Sequence, residues 1–316
     1  MKFLFISPRF SGGIGGHAAM LADKLIQHGH QVKKLETTHL PIKNLKNPSF
    51  AVLSSFRSLL DRDSYDIVHG FNIPSAYAMK YAKGKKKVLS VHGVFSEQID
   101  TLHSKSVSSI AKSAESQVLQ WPDKLTTDSK ATQKLYKEKF DIDFEYLPTP
   151  LDTDMFENLD FVKKIENQIA YVGRDSHEKG IDILKAAEPK INGNVVYCTN
   201  RSWEDAMRIM KSSSVVVVPS RMESLPTTVK EAFYLNVPVI GTDVGGIPEL
   251  IKNNETGVIV PPENPFELAQ AINELLSDKE KSVKLAVNAN TFVKNNMTWN
   301  VVLPKYIQFY KDLLKD

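Results

Sequence analysis

Short β-branched or apolar runs alternate with helical patterns along the whole chain, and this alternation constrains the fold more than any other feature. In the first half the runs are Phe3–Ser7, Gln31–Leu35, Asp66–His69, Lys87–Val91, Lys124–Thr127 and Glu145–Leu147. Helical patterns lie between them near Ala18–Gln27, Phe50–Leu60, Ser75–Ala82, Val107–Leu119 and Lys130–Lys137. Strands that alternate with helices are joined by crossovers, which makes the strands parallel and covers both faces of their sheet.

Two prolines interrupt the pattern at Leu147-Pro148-Thr149-Pro150, and the polar, acidic stretch to Asp160 reads as a linker. A second alternation follows, with strands at Ile169–Val172, Asn194–Cys198, Ser214–Val218, Val237–Ile240 and Gly257–Val260. Its helices are expected at Ile181–Ala187, Trp203–Met210, Thr228–Leu235 and Pro265–Leu276, and Trp299–Leu314 reads as a terminal helix. A chain of 316 residues, at roughly 150 per domain, accommodates two such cores. The expected domains are residues 1–150 and 151–298.

Composition restricts the function classes. Hydrophobic residues make up 42% and charged residues 24%, an ordinary globular mixture. The single cysteine, Cys198, forms no intramolecular disulfide and no cysteine-based zinc site. The amino-terminal apolar run stops at Pro8 and Arg9, too early for a signal-peptide core, and no window reaches the ~20 apolar residues that span a bilayer. A cytoplasmic protein is expected, with any membrane contact peripheral. Residues 1–150 hold 21 Lys and Arg against 14 Asp and Glu, so the basic surface belongs to the first half. That excess suits an acidic acceptor or the inner face of an anionic membrane. The run Lys83-Gly84-Lys85-Lys86-Lys87 reads as a solvated loop, and because aromatics do not interleave with it, nucleic acid is not an expected partner.

After the first strand, Ser11-Gly12-Gly13-Ile14-Gly15-Gly16-His17-Ala18 opens a helix and can bring backbone N–H groups to an anion. The segment Gly13–Ala18 also satisfies the dinucleotide pattern G-x-G-x-x-A, with Glu36 near the acidic position. A nicotinamide-dependent oxidoreductase therefore stays open on this loop alone, as does a plain tight turn.

The second half carries more. Tyr171-Val172-Gly173-Arg174 ends a strand, and Lys179-Gly180 follows at a helix opening. Two cations beside a helix amino terminus suit a diphosphate, Arg174 as a bidentate donor and Lys179 as a point charge. Beyond the strand Val215–Val218 stand Glu223 in a loop and Glu231 about one turn inside the next helix, with Ser224, Leu225, Pro226, Thr227 and Thr228 between them. Gly245-Gly246-Ile247-Pro248-Glu249 and Glu255-Thr256-Gly257 complete the series.

In this order the motifs resemble those of the retaining GT-B glycosyltransferases of family four, the glycosyl transferases group 1. The resemblance covers nearly the whole chain, including the Gly12–Gly16 loop and the strand end Val91-His92-Gly93. It implies an α/β fold of two facing Rossmann-like domains with a cleft between them. The terminal helix, about residues 299–316, would return to the first, acceptor-side domain, and residues 151–298 would bind the nucleotide sugar. It further implies that Glu231 holds the ribose hydroxyls, Glu223 the transferred sugar, Arg174 and Lys179 the diphosphate, and that His92 reaches the donor sugar. Gly12 and Gly13 would close over the diphosphate, and Thr199, Asn200 and Arg201 would floor the base pocket. The implied reaction moves a hexose-type sugar to a hydroxyl acceptor with retention, with no cofactor and no metal. Two alternatives remain: a nicotinamide-dependent oxidoreductase using the Gly13–Ala18 loop, and a catalytically inert nucleotide-sugar-binding protein on the same fold. Two departures stand out: Ser224-Leu225-Pro226 replaces the common Gly-Phe-Gly, and residues 188–214 are shorter than usual.

Overall fold

The computed structural model describes residues 1–10, 13–37, 46–93, 115–160 and 162–315. Gly12 and most of the helix expected over Val107–Leu119 lie outside them. The chain divides into two compact units, one of Met1–Thr149 with Leu303–Asp316, the other of Pro150–Val302.

In the first unit, β1 (Lys2–Ile6), β2 (Gln31–Leu35), β3 (Tyr65–Phe71), β4 (Gly84–Ser90), β5 (Lys124–Thr127) and β6 (Glu145–Tyr146) form one sheet in the order β2-β1-β3-β4-β5-β6. All its pairings are parallel. Phe3, Leu4, Phe5 and Ile6 are fully buried, which is why β1 reads as a continuous apolar run rather than an alternating one. The helices between the strands include α1 (Gly13–Gln27), α2 (Lys46–Leu60), α3 (Ile73–Tyr81) and α4 (Lys130–Phe140). Ser129 caps α4 by accepting from the Thr132 amide at 3.3 Å, and the helix ends at Asp141 in the left-handed region.

The lysine run corrects an expectation. Gly84–Lys87 is not a loop but the first half of β4, in register with Tyr65–Val68 of β3. Its cations are tied down locally: Lys85 pairs with Asp66 at 2.8 Å, and Lys87 donates to the Lys80 carbonyl at 2.7 Å. Asp61 and Asp63 likewise hold Lys33, at 3.0 and 3.2 Å.

The last helix, α11 (Trp299–Leu313), supplies Tyr306 and Tyr310 to the buried part of the first unit. The Tyr306 hydroxyl donates to the Leu147 carbonyl at 3.2 Å and lies 3.1 Å from His17 Nε2. The Tyr310 hydroxyl lies 2.8 Å from His69 Nδ1. These polar tips sit on otherwise apolar rings, so α11 is fixed by area and by partnered hydroxyls together.

In the second unit, β7 (Gln168–Val172), β8 (Asn194–Cys198), β9 (Val215–Val218), β10 (Val239–Thr242) and β11 (Val258–Val260) form a parallel sheet in the order β11-β10-β9-β7-β8. Its helices are α5 (Ile181–Ala187), α6 (Trp203–Ser212), α7 (Thr227–Tyr234), α8 (Ile247–Leu250), α9 (Pro265–Ser277) and α10 (Lys279–Asn296). Consecutive valines of β9 feed two different cores. Val216 and Val218 join residues of α6, α7 and α10, whereas Val215 and Val217 join residues of α5 and α9. This two-sided burial follows from the period of two along a strand.

The stretch read as a linker is also corrected in part. Leu151 and Phe156 belong to the second unit's core, and the Phe156 ring packs edge-on against Trp203 with centroids 5.0 Å apart. Asp154–Phe156 forms a single 3-10 turn. Leu151 is further held by its amide, which donates to the Met297 carbonyl at 2.6 Å.

Candidate functional site

In an open parallel sheet, ligands bind beyond the carboxyl ends of the strands, where the strand order reverses. In the second unit that point is β7, whose neighbours β8 and β9 are reached by connections running in opposite directions. The loops leaving β7 and β9 carry Arg174, Lys179 and Glu223.

These loops touch through their backbones. Gly180 has φ +65°, and a Cβ there would lie 1.9 Å from the Pro219 carbonyl oxygen. Only glycine accepts both the left-handed conformation and that approach. The Arg221 amide donates to the Glu178 carbonyl at 2.9 Å, which ties the β9 loop back to the β7 loop. A third loop, leaving β10, presses on the same place, because a Cβ at Gly245 would stand 1.8 Å from the Glu223 carbonyl oxygen.

Glu223 is therefore fixed from three sides. Its Oε1 accepts from Lys179 Nζ at 2.5 Å and from the Ser220 hydroxyl at 3.2 Å. Side-chain exposure is 24% for Lys179 and 11% for Glu223, so this pair sits in a recess and not on open surface. An ionised carboxylate offers about four lone-pair sites, so two donors leave acceptor capacity for hydroxyls of a ligand. Arg174 is placed differently. It is largely exposed and paired with Glu178 at 2.7 Å, while the carbonyl of Arg174 accepts from the buried Tyr171 hydroxyl at 2.7 Å.

Pro226 stands at the N-cap of α7 and Thr227 begins it. Proline's fixed φ suits such a start, and the first N–H groups of the helix are left to whatever lies beyond. Leu225 and Pro226 are buried, Ser224 and Thr228 half-buried, and Thr227 exposed; the Thr228 hydroxyl lies 3.5 Å from the Val172 carbonyl. Glu231 is buried on the following turn, where its Oε1 accepts from the Trp203 indole at 2.8 Å. Burial pushes this carboxyl above the ordinary range, opposed by the Trp203 hydrogen bond and the neighbouring Lys230 charge. Asn200 and Arg201 are exposed between β8 and α6, directly before the α6 cap residue Ser202.

Three residues passed over in the sequence complete the arrangement. Trp203 opens α6 and positions Glu231. Lys230 is fully buried beside Glu231, a rare environment for a lysine. Arg221 makes a bidentate pair with Asp182 at 2.7 Å for both bonds, pairs with Glu263 beyond β11, and donates to the His177 carbonyl at 2.8 Å. The Arg221 guanidinium holds the Asp182 carboxyl down to about 2. It clamps the β7, β9 and β11 loops around Lys179. The signal for Arg221 was its place three residues beyond the end of β9. Trp203 and Lys230 gave no signal beyond residue type.

In the first unit, Gly13 opens α1 at φ +47° after β1. His92 follows β4, with Nδ1 3.3 Å from Asp128 Oδ2; Asp128 is buried and accepts from the Thr149 hydroxyl at 2.8 Å. The His92 side chain is 14% exposed. His69 is unlike it: it is fully buried, with Nε2 2.7 Å from the Ser90 hydroxyl and its ring stacked on Phe71 at 4.2 Å.

Residues 11–155 match Glycosyltransferase Family 4, and residues 185–292 match the Glycosyl transferases group 1. The chain is 24% identical to an uncharacterized glycosyltransferase of Methanocaldococcus jannaschii over 96% of this chain and 95% of that one. It is 35% identical to the alpha-D-kanosaminyltransferase of Streptomyces kanamyceticus over 28% of this chain, and spans 23% of that relative's length. The fold is that of a sucrose-phosphate synthase from Thermosynechococcus elongatus, with a TM-score of 0.84, 18% identity and 99% of both chains covered. It is also that of Anabaena HepE, solved in complex with UDP-glucose, with a TM-score of 0.72, 15% identity, 99% of this chain and 100% of that one. Two parallel-sheet α/β units, a strand-end recess in the second and family matches over both halves place the chain among the group 1 glycosyltransferases of the GT-B fold.

Proposed function

We propose that this protein is a retaining glycosyltransferase that moves a hexose-type sugar from a nucleoside diphosphate to a hydroxyl of a glycan, glycolipid or small acceptor. The observation that carries the reading is the Lys179–Glu223 pair, recessed at the strand-order reversal of the second unit, with Glu231 buried on the next helix. Glu223 supplies acceptor sites for sugar hydroxyls, and Glu231 for the ribose. Lys179, Arg174 and the N–H groups opening α7 receive the diphosphate. A uridine diphosphate sugar is the first donor to test, because HepE, of the same fold, was solved with UDP-glucose.

In the reaction the bond from the anomeric carbon to the diphosphate breaks, leaving an oxocarbenium-like sugar, and a bond to the acceptor oxygen forms on the same face. The acceptor proton passes to the departing phosphate, so no side-chain base is required. Charge accumulating on that phosphate is met by Lys179, already held in the recess, and by Arg174, which leaves its exposed pairing with Glu178 to reach it. These cations support a reaction independent of metal and of any cofactor. Gly12 and Gly13 are assigned to the diphosphate and Asn200 and Arg201 to the base. His92, oriented by Asp128, is assigned to the donor sugar.

The deciding experiment incubates the protein with uridine and guanosine diphosphate sugars and follows release of the diphosphate, with and without exhaustive chelation. Turnover that survives chelation, with the product's anomeric configuration retained by NMR, is expected. His92→Ala keeps affinity for the free diphosphate and loses transfer. Absence of turnover with every donor, despite thermal stabilisation by the diphosphates, identifies a binding protein instead.

A further inference from the structure

Helix α2 is turned with its polar side inward. Phe50, Ser54 and Ser58 are its buried residues, and it packs against α3. The Ser58 hydroxyl is buried with no hydrogen-bond partner, an arrangement that core packing alone does not favour. Outward stand Val52, Leu53, Phe56, Leu59 and Leu60, exposed by 56%, 41%, 61%, 55% and 79%. The spacing from 52 to 60 puts all five on one stripe, the pattern a helix normally buries.

The charges of α2 fit one kind of cover. Lys46 and Arg57 are exposed, and the helix contains no Asp or Glu. Arg57 also donates to the Glu36 carbonyl, so its guanidinium is held at the edge of the stripe. The nearest acids along the chain, Asp61 and Asp63, are already paired with Lys33. A second copy seated on this face would bring two cation-edged faces together with no carboxylate of either α2 to pair Lys46 or Arg57. A convex apolar stripe edged by cations instead suits a flat anionic surface. No described helix is long and apolar enough to cross a membrane, so such a contact lies in the plane of the interface.

We propose that α2 is a membrane-surface anchor. Its five apolar side chains enter the boundary between headgroups and acyl chains of an anionic bilayer, and Lys46 and Arg57 meet the lipid phosphates. This inference does not rest on the transferase reading.

The test is sedimentation of the full chain with phosphatidylcholine vesicles, with and without phosphatidylglycerol. Binding is expected only with phosphatidylglycerol, and it weakens as salt rises. The double substitution Leu53→Ser with Phe56→Ser lowers the partition coefficient tenfold or more, by roughly the loss of two inserted side chains. Lys46→Gln with Arg57→Gln lowers it by roughly thirtyfold, at about 1 kcal/mol per cation near an anionic surface. Should either variant unfold, Phe56→Trp decides: its emission shifts to the blue and is quenched by brominated phosphatidylglycerol. Equal binding to both vesicles, undiminished binding by the apolar variant, or no binding by the native chain overturns the proposal. So does a dimer in solution that Phe56→Ser dissociates, which would assign the stripe to a second copy.

Discussion

The Trp203 indole donates to the Glu231 carboxylate across 2.8 Å, joining the first turn of α6 to the second turn of α7. Trp203 is itself steadied by the Phe156 ring. Trp203→Phe keeps that ring contact and removes only the donor. A hydrogen bond to a charged group contributes roughly 1.5–3 kcal/mol, and the low end applies because Trp203 is only half-buried. Affinity for a nucleoside diphosphate is therefore expected to fall about tenfold, and calorimetric titration reads it. An unchanged dissociation constant would mean that Trp203 does not act through Glu231.

A pH dependence of stability follows from His69. Burial, with a smaller contribution from His92, pushes its imidazole down from 6.5 to about 3. Between those values the unfolded chain takes up a proton that the folded chain refuses. Stability from this group is therefore complete above about pH 6.5 and is lost as pH falls toward 3. His69→Gln is less stable at neutral pH, since the contacts to Tyr310 and Ser90 are disturbed, but it is less sensitive to acid. The stability gap between native chain and variant should narrow by about 1 kcal/mol from pH 6.5 to 5.5 in urea titrations. A gap independent of pH would show that His69 takes up its proton equally in the folded and unfolded chains.

The strands were legible where both faces are buried, because uninterrupted apolar runs such as Val215–Val218 have no other economical place. They were illegible where polar side chains find partners across the sheet. The lysines of β4 look solvated in sequence, yet Asp66 and the Lys80 carbonyl hold two of them, 19 and 7 residues away. The pairing of Lys179 with Glu223, 44 residues apart, likewise depends on two loops crossing at Gly180 and Pro219. Sequence reading assigned these two side chains to different parts of a ligand and did not foresee that they meet. Trp203 was invisible for the same reason: nothing local to it indicates a carboxylate.

That crossing gives a paired prediction. Gly180→Ala puts a methyl within 1.9 Å of the Pro219 carbonyl oxygen and forces a side chain to φ +65°, so about 3 kcal/mol of stability or more is lost. Gly13→Ala also meets positive φ, +47°, but nothing lies within 4 Å of the new methyl, and the cost is about 1 kcal/mol. Urea unfolding of both variants measures the difference. Equal losses would mean that the backbone conformation, and not the loop crossing, makes Gly180 necessary.

The two glutamates separate by what they touch. Glu231 is buried on α7 against Trp203 and Lys230, and is assigned to the ribose, which the free diphosphate and the sugar nucleotide share. Glu223 lies in the preceding loop, held by Lys179 and Ser220, and is assigned to the sugar, which only the full donor carries. Glu231→Gln should weaken both ligands by roughly 10- to 150-fold, the range of a hydrogen bond to a charged group. Its stability should move the other way. A carboxyl raised by burial stabilises the fold fully below its unfolded pKa, and that contribution is lost as pH rises through the folded value, so the neutral amide gains relative to the native chain at neutral pH. Glu223→Gln should leave affinity for the free diphosphate nearly unchanged while lowering single-turnover transfer by a similar 10- to 150-fold. It also leaves Lys179 without its anionic partner, so any change in diphosphate affinity should be a gain. Titration of both folded variants with the free diphosphate, followed by single-turnover transfer from the sugar nucleotide, separates the roles. Equal losses of diphosphate affinity would contradict the division of labour, and normal binding and transfer in both would reject the site at the β7 and β9 strand ends.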